Sequence, residues 1–244
     1  MCGRFTLTQP AAVIAALPGL ILDQMWTPRY NIAPGQRVPI MRLSDNRAEL
    51  VPALWGLATK AANGESRLLI NARAQTVHQK PTFAPLFATR RCIVPADGFY
   101  EWPANGPKGG NPTFFRFQNT DFCGFAGIWA DCSTTPNAPE VRFVILTTDA
   151  QPPVQAIHHR MPVILKRDQV FNYLNPPAPQ GFAGTGSRPP MATDGDPHQN
   201  LMQMIAEWNA HWLAAIPVGR LVNRVANDNP ACVQQFENGP SLFN

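Results

Sequence analysis

The stretch Val141-Arg142-Phe143-Val144-Ile145-Leu146-Thr147 is dominated by bulky apolar residues and predicts a buried β-strand. Similar composition predicts strands at Cys92–Pro95, Thr113–Phe117 and Phe122–Trp129. Between two of them, the glycine- and proline-rich stretch Ala104–Pro112 is interpreted as a hairpin loop. Predicted strands far outnumber helices and do not alternate with them. The chain is therefore predicted to have an α+β fold, with a mostly antiparallel, barrel-like sheet flanked by a few helices.

Two more strands are predicted closer to the N-terminus, Val38–Leu43 and Ala48–Trp55, joined as a hairpin through Ser44-Asp45-Asn46. The polar, small residues Thr59–Ser66 are interpreted as a surface loop. The apolar residues that follow, Arg67–Ala72, predict a single buried strand.

Three helices are predicted. The first begins with Thr8 as its N-cap and Pro10 just inside it. A short second helix is capped by Asp168, and an apolar stripe predicts a third over Leu201–Ile216. A last strand is expected at Pro217–Val225.

Residues 178–200 differ from the rest because Gly, Pro, Ser and Thr dominate there without an apolar period. Too little core-forming sequence follows them to build a second domain. The chain is therefore predicted to be a single domain over residues 1–244, with a flexible insertion at about 178–200.

The composition limits the class of protein. Hydrophobic residues are 45% and charged residues 15%, and the net charge of +4 permits an anionic partner without requiring one. The five cysteines are an odd number without a C-x-x-C pair, which disfavours both a disulfide framework and a zinc site. No stretch is long and apolar enough to span a bilayer. We expect a cytoplasmic monomer that needs no metal or cofactor and does not bind membranes.

Cys2 has a chemistry that no internal cysteine has, provided that Met1 is removed. Its α-amine would then stand beside its thiol, and this pair can condense with an aldehyde to a Schiff base that closes to a thiazolidine. An α-amine has a pKa of about 7.7–8.0, against about 10.4 for Lys, so a far larger fraction of it is neutral and nucleophilic near pH 7. Taken alone, however, a cysteine at this position is more often part of a frayed terminus.

Three further places carry polar residues that the local pattern does not require. They are Asn71 and Arg73 at the end of an apolar strand, Glu101 between two aromatic residues that could bury it and raise its pKa, and His158-His159-Arg160 before an apolar strand. Neighbouring residues of a strand point to opposite faces, so His158 and His159 are not expected to share a metal ion. Singly, each has an ordinary structural explanation, such as a turn cap, a rim ion pair or a hydrogen-bonded core edge.

Together these residues resemble a known family, the SOS response-associated peptidase (SRAP) domains, which are associated with abasic sites in DNA. The resemblance runs in order from residue 1 to about residue 165 and resumes at Pro217–Pro230. It is carried by Met1-Cys2-Gly3-Arg4-Phe5, Tyr30-Asn31-Ile32-Ala33-Pro34, Trp55-Gly56-Leu57, Ile70-Asn71-Ala72-Arg73, Arg91-Cys92-Ile93-Val94-Pro95 with Asp97-Gly98-Phe99-Tyr100-Glu101-Trp102, and Ile157-His158-His159-Arg160-Met161-Pro162.

The resemblance implies covalent capture of the open-ring aldehyde of an abasic site in single-stranded DNA. Family members lose Met1 and form a thiazolidine crosslink through the new N-terminal Cys, which is Cys2 here. Cleavage of the DNA by β-elimination is an expected side activity, because a Schiff base acidifies the adjacent carbon.

The resemblance also assigns roles to particular residues. The family's catalytic Asn, Glu and His fall on Asn71, Glu101 and His158. Its phosphate-holding arginines fall on Arg4 and Arg73, which implies a grip on the strand that does not depend on base sequence.

Two alternatives remain open. Cys2 with His158 and Glu101 matches the parts of a thiol peptidase, whose action could be limited to its own N-terminus. The same pocket would also suit a non-catalytic reader of modified or single-stranded DNA.

The chain departs from the family in its insertion over Ala178–Asn200 and at two further points. Where the family usually has Trp-Gly-Leu-x-Pro-x-Trp, this chain has Trp55-Gly56-Leu57-Ala58-Thr59-Lys60-Ala61, without the Pro and Trp that pack against unstacked bases. Gln75 stands where an acidic residue is common. Neither change touches the four chemical residues, so they bear on DNA binding rather than on the reaction.

Overall fold

The computed structural model describes residues 2–17, 19–20, 26–45, 47–60, 64–103, 110–118, 122–133, 140–174 and 196–236. Met1, Ala61, residues 104–109 of the predicted hairpin loop and residues 178–195 of the predicted insertion lie outside this part of the chain. None of the helices within the described ranges has both the length and the apolar character needed to cross a bilayer.

Most of the described chain is extended. The strands are β1 Phe5–Leu7, β2 Arg29–Ile32, β3 Arg37–Ser44, β4 Arg47–Trp55, β5 Leu57–Lys60, β6 Ser66–Leu69, β7 Asn71–Arg73, β8 Arg91–Pro95, β9 Gly98–Glu101, β10 Thr113–Phe117, β11 Phe122–Asp131, β12 Val141–Asp149, β13 Arg160–Pro162, β14 Ile164–Lys166 and β15 Leu213–Pro217. The helices are α1 Pro10–Ala15, α2 Ala84–Thr89, α3 Val170–Leu174 and α4 Pro197–Ala206.

The larger sheet closes on itself. Strand β12 pairs with β11 on one side and with β4 on the other, and β3 and β8 complete the ring. Most neighbours are antiparallel, although β12 runs parallel to both β4 and β7. The predicted α+β class with a mostly antiparallel, barrel-like sheet is therefore confirmed.

A second sheet has the strand order β15-β10-β9-β1-β2. It packs against the larger sheet through an aromatic cluster, in which the Phe5 ring lies 5.2 Å from the Trp55 ring and 5.7 Å from the Phe125 ring. All three side chains are fully buried. Burying one such ring contributes about 1.5–3 kcal/mol, so this layer holds the first strand of the chain against the barrel.

The strand predictions were accurate except between residues 57 and 73 and at residues 217–225. Residues 57–60 form β5, which pairs with β6, although Thr59–Ser66 was predicted to be a loop. The predicted single strand Arg67–Ala72 is divided at Ile70 into β6 and β7. This division occurs because β6 pairs with β5 whereas β7 pairs with β12.

The helix predictions failed at their ends. Thr8 does not cap α1, because its hydroxyl donates to Asp97 at 2.8 Å. A helix does follow Asp168, as α3. The 3₁₀ turn that leads into it begins at Arg167, so the N-cap is Lys166 and not Asp168. The third helix, α4, covers residues 197–206, so the last four residues of the predicted insertion are helical.

The predicted boundary between the third helix and the last strand was also wrong. Residues 213–217 form β15 and pair with β10, because the apolar residues there complete the second sheet. Residues 220–223 form a 3₁₀ turn instead of continuing the strand.

Candidate active site

Strand pairing brings Cys2 to one end of β9. Cys2 lies three residues before the start of β1 and is fully buried. β1 is antiparallel to β9, and the Tyr100 N–H donates to the Arg4 carbonyl at 3.0 Å. Continuing this register to the start of the chain places Gly3 opposite Glu101.

The Cys2 thiol is held in its neutral form. Burial raises its pKa well above the ordinary range, and the negative charge of the Glu101 carboxylate raises it further.

Asn71 reaches the same place from the other sheet. It begins β7, where it is paired with Ile145 of β12. Its side-chain Nδ2 donates to the Cys2 carbonyl at 2.8 Å, while its Oδ1 is buried without a hydrogen-bond partner among the described residues. Asn71 therefore anchors the main chain of Cys2 and keeps one acceptor oxygen for a donor that is not yet in place.

Glu101 ends β9 and has only 3% of its side chain exposed. Burial raises its pKa to about 7, as predicted, so both protonation states are populated near neutral pH. The cause differs from the predicted one. Tyr100 and Trp102 pack together in a separate cluster, with ring centres 6.4 Å apart.

His158 completes the group. Its Nδ1 lies 3.8 Å from Oε2 of Glu101 and accepts a hydrogen bond of 3.0 Å from the Arg160 N–H. Burial lowers the pKa of His158 below its ordinary value. The ring is thus mostly neutral at pH 7 and suited to accept a proton.

The expectation that His158 and His159 point to opposite faces is wrong. Their rings stack, with centres 4.3 Å apart. Strand β13 begins only at Arg160, so the alternation of side chains along a strand does not apply to the two histidines.

The two predicted phosphate ligands have different surroundings. Arg73 is exposed at the end of β7. The Arg4 guanidinium donates to Oδ1 of Asn31 at 2.8 Å and to the Val222 carbonyl at 2.5 Å. Arg4 therefore already joins the start of the chain to a segment more than two hundred residues later.

Several residues around the group were not predicted to matter. The fully buried Asn31 donates through Nδ2 to three main-chain carbonyls, those of residues 222, 224 and 227. Asp228 accepts from the N–H groups of Tyr30 and Asn31. The buried Arg160 donates to the Thr147 carbonyl at 2.6 Å and pairs with Asp149. The sequence had singled out Arg160 without a role, whereas Asp228 lies in the polar turn at residues 227–230.

An open cleft of about 520 Å³ adjoins His158. Its walls include Pro103 after β9, Asp149 and Ala150 after β12, and residues 155–159. The cleft gives a bulky ligand access to His158, which lies beside Glu101.

The sequence model of the SOS response associated peptidase (SRAP) family matches residues 1–225. This chain belongs to the SRAP family. It is 32% identical over 241 residues to the abasic site processing protein YoqW of Bacillus subtilis (strain 168), covering 96% of this chain and 99% of YoqW. It is 31% identical over 183 residues to the abasic site processing protein YedK of Escherichia coli (strain K12), covering 71% and 79% of the two chains.

The likeness extends to animal relatives and to solved structures. The abasic site processing protein HMCES of Gallus gallus is 29% identical over 287 residues, which cover 98% of this SRAP chain and 79% of HMCES. A crystal structure of a protein from Bacteroides thetaiotaomicron superposes with a TM-score of 0.68 at 20% identity, covering 96% of this chain and all of that one. At that identity the superposition supports the shared fold alone.

Proposed function

We propose that this SRAP chain, after removal of Met1, processes abasic sites in single-stranded DNA by forming a thiazolidine crosslink through Cys2. Its curated relatives are named abasic site processing proteins, and YoqW matches it over nearly the full length of both chains. The observation that carries the proposal is the 2.8 Å hydrogen bond from Asn71 to the main chain of Cys2, on a segment whose register with β9 sets Gly3 opposite Glu101.

The first step is the opening of the abasic sugar. The closed sugar is a hemiacetal, and opening requires loss of the C1′ hydroxyl proton and protonation of the ring oxygen. A neutral imidazole can accept the first of these protons and then return it to the ring oxygen, and the lowered pKa of His158 keeps it neutral at pH 7. The step exposes the C1′ aldehyde.

The second step joins the amine to the aldehyde. The Cys2 nitrogen attacks C1′ to give a carbinolamine, whose oxygen leaves as water once it is protonated. Glu101, with a pKa of about 7, can supply that proton in its neutral form. The Asn71 Oδ1 can accept a hydrogen bond from the Cys2 amine and orient its lone pair.

The third step closes the ring. The Cys2 sulfur attacks the imine carbon, and the thiol proton passes to the Glu101 carboxylate left by the second step, while the imine nitrogen becomes an amine. Overall, one aldehyde and one aminothiol give one thiazolidine and one water. If the imine instead loses a proton from C2′, the 3′ phosphate is eliminated, which is the expected lyase side activity.

The protonation state of the thiol favours this route over a peptidase mechanism. A peptidase cysteine attacks as a thiolate, and thiolates form where nearby cations lower the pKa. Cys2 lies beside a carboxylate in a buried position, which raises its pKa. An amine that attacks first does not require a thiolate.

We expect contact with the DNA strand to come from Arg73, which is exposed next to Asn71. The Arg4 guanidinium has five N–H donors, so it could bind a phosphate while it still donates to Asn31 and Val222. These contacts would hold the backbone of the strand without reading its bases.

The test uses a single-stranded oligonucleotide with one abasic site. The protein with Cys2 at its N-terminus should give an adduct that is stable to heat and SDS. A variant with residues added before Cys2 should give none, since it has no α-amine. Cys2→Ser keeps the amine and should give a band only after borohydride reduction of the imine.

An adduct formed by the variant with a blocked N-terminus would disprove the aminothiol mechanism. Peptide cleavage that is lost in Cys2→Ala, with no adduct to abasic DNA, would favour the peptidase instead.

A further inference from the structure

The proposed reaction leaves His159 without a role, although this residue lies against the reacting group. Its ring stacks on that of His158, with centres 4.3 Å apart and planes inclined by 29°. The rest of the side chain is exposed and borders the 520 Å³ cleft. His159 therefore presents an aromatic surface to any ligand that enters from this side.

The main chain around His159 is fixed. The His159 carbonyl accepts a hydrogen bond of 3.0 Å from the Ala150 N–H, which ties the two sides of the cleft together. Next to it, Arg160 is buried and held by Thr147 and Asp149. The ring is thus supported by ordered structure on the side away from solvent, as a stacking surface must be.

The chemistry of the cleft suits a nucleobase better than a phosphate. Asp149, at its edge, has 80% of its side chain exposed and already pairs with Arg160, and the described lining residues include no lysine or arginine to bind a phosphate group. The other walls combine apolar groups of Pro103, Ala150 and Ile157 with the amide of Gln155. An aromatic face, apolar walls and a few polar groups are the usual elements of base recognition.

We propose that His159 is a stacking platform for the base next to the abasic sugar, which the cleft accommodates. The inference rests on the proposed function, because it takes the position of the abasic sugar from the group of Cys2, Glu101 and His158. His158 belongs both to that group and to the wall of the cleft. A sugar bound at the group would therefore place its neighbouring nucleotide at the mouth of the cleft. His159 would then hold the strand in register for the reaction.

The experiment measures affinity without the covalent step. The probe is a fluorescein-labelled single-stranded oligonucleotide that carries one tetrahydrofuran residue, an abasic analogue without an aldehyde, and binding is followed by anisotropy. Stacking on an aromatic ring contributes about 1–3 kcal/mol per base, so His159→Ala should weaken binding about 5- to 100-fold. His159→Phe should restore it, whereas His159→Gln, which is polar but not aromatic, should not.

A second oligonucleotide identifies the base. It carries tetrahydrofuran at the central position and at both neighbouring positions, so that the flanking bases are missing. The wild type and His159→Ala should bind this probe equally. Probes that lack one neighbour at a time then show whether the stacked base lies on the 5′ or the 3′ side.

His211 provides the matched control, since it is an exposed histidine in a 3₁₀ turn distant in sequence from the cleft. His211→Ala should bind both probes like the wild type, and thermal melting should show that all variants are folded. Equal affinity of His159→Ala and the wild type for the first probe would overturn the inference, as would a loss that persists without flanking bases.

Failure of the proposed function gives a different result. In that case the wild type forms no adduct with an abasic oligonucleotide, whatever the binding of the tetrahydrofuran probes. An adduct that forms normally while His159→Ala binds like the wild type would reject the stacking platform alone.

Discussion

Two cysteines of this chain are equally buried but lie in very different surroundings. Cys2 and Cys92 are both fully inaccessible, and burial raises the pKa of each thiol above its ordinary range. Cys92 lies in the barrel wall on β8, opposite Gly127 of β11. Cys2 lies beside Asn71 and Glu101, at the junction of the two sheets. Burial alone therefore makes a thiol inert, and reactivity depends on the groups placed around it.

The largest expected difference between the two regions is in crosslinking. Cys2→Ala should abolish the adduct with abasic single-stranded DNA, because the thiazolidine ring requires the Cys2 sulfur and alanine has none. Cys92→Ala should form the adduct at the wild-type rate and lose about 1 kcal/mol of stability from the small cavity. Gel analysis of adducts and urea denaturation measure the two effects. Loss of the adduct in a folded Cys92→Ala protein would contradict the comparison.

The next largest effect concerns the Glu101 carboxylate, which acts on Cys2 and not on Cys92. Glu101→Gln keeps the shape of the side chain but removes the proton donor and acceptor. General acid–base catalysis typically contributes 10²- to 10⁴-fold, so the rate of adduct formation should fall by about that factor. Single-turnover kinetics at saturating oligonucleotide measure it. A rate within a factor of about three of the wild type would show that another group moves the protons.

The same carboxylate should make stability depend on pH. Its pKa is about 7 in the folded protein, against 4.5 for the ordinary group, so the folded state binds the proton more tightly than the unfolded state. The resulting stability is fully present below about pH 4.5 and is lost as the pH rises through 7.

The size of this loss follows from the shift, which corresponds to a change on the order of 3 kcal/mol. In Glu101→Gln the free energy of unfolding should fall less between pH 5 and pH 8 than it does in the wild type. Denaturant titrations at both pH values compare the two proteins. Identical pH dependence would mean that Glu101 is not buried as a neutral acid.

The smallest expected effect concerns Asn71. Asn71→Ala removes the hydrogen bond to the Cys2 carbonyl, and a single hydrogen bond contributes about 0.5–1.5 kcal/mol. The rate of adduct formation should therefore fall about 3- to 10-fold, with Cys2 still reactive. A matched change in the other region, Gly127→Ala, places a Cβ 3.0 Å from the Cys92 sulfur and should affect stability without this loss of rate.

The comparison also shows what the sequence could predict. The strand around Cys92 was predicted from its apolar composition, and the fold class followed from several strands of this kind. Local patterns failed where distant partners decide the structure. Residues 213–217 continue an apolar stripe suited to a helix, yet they pair with β10 as a strand. Thr8 has the chemistry of an N-cap, yet Asp97 takes its hydroxyl.

The candidate site depended even more on distant contacts. Cys2, Asn71, Glu101 and His158 were all predicted, but through a family resemblance, since no local rule brings four such separate residues together. The stacking of His158 on His159 was missed because the two residues precede their strand. The contacts of Arg4 with Asn31 and Val222 could not be predicted, because they join the two ends of the described chain.

Those last contacts have a consequence for the order in which the protein matures. The segment that carries Cys2 is synthesised well before Val222 and Asp228, which hold Arg4 and β2 in place. A nascent chain that has not yet reached residue 222 therefore lacks the contacts that hold Arg4 and β2 in place. Until residues 222–228 have been synthesised, the Cys2 aminothiol would not be held in the pocket where the proposed reaction with an aldehyde takes place.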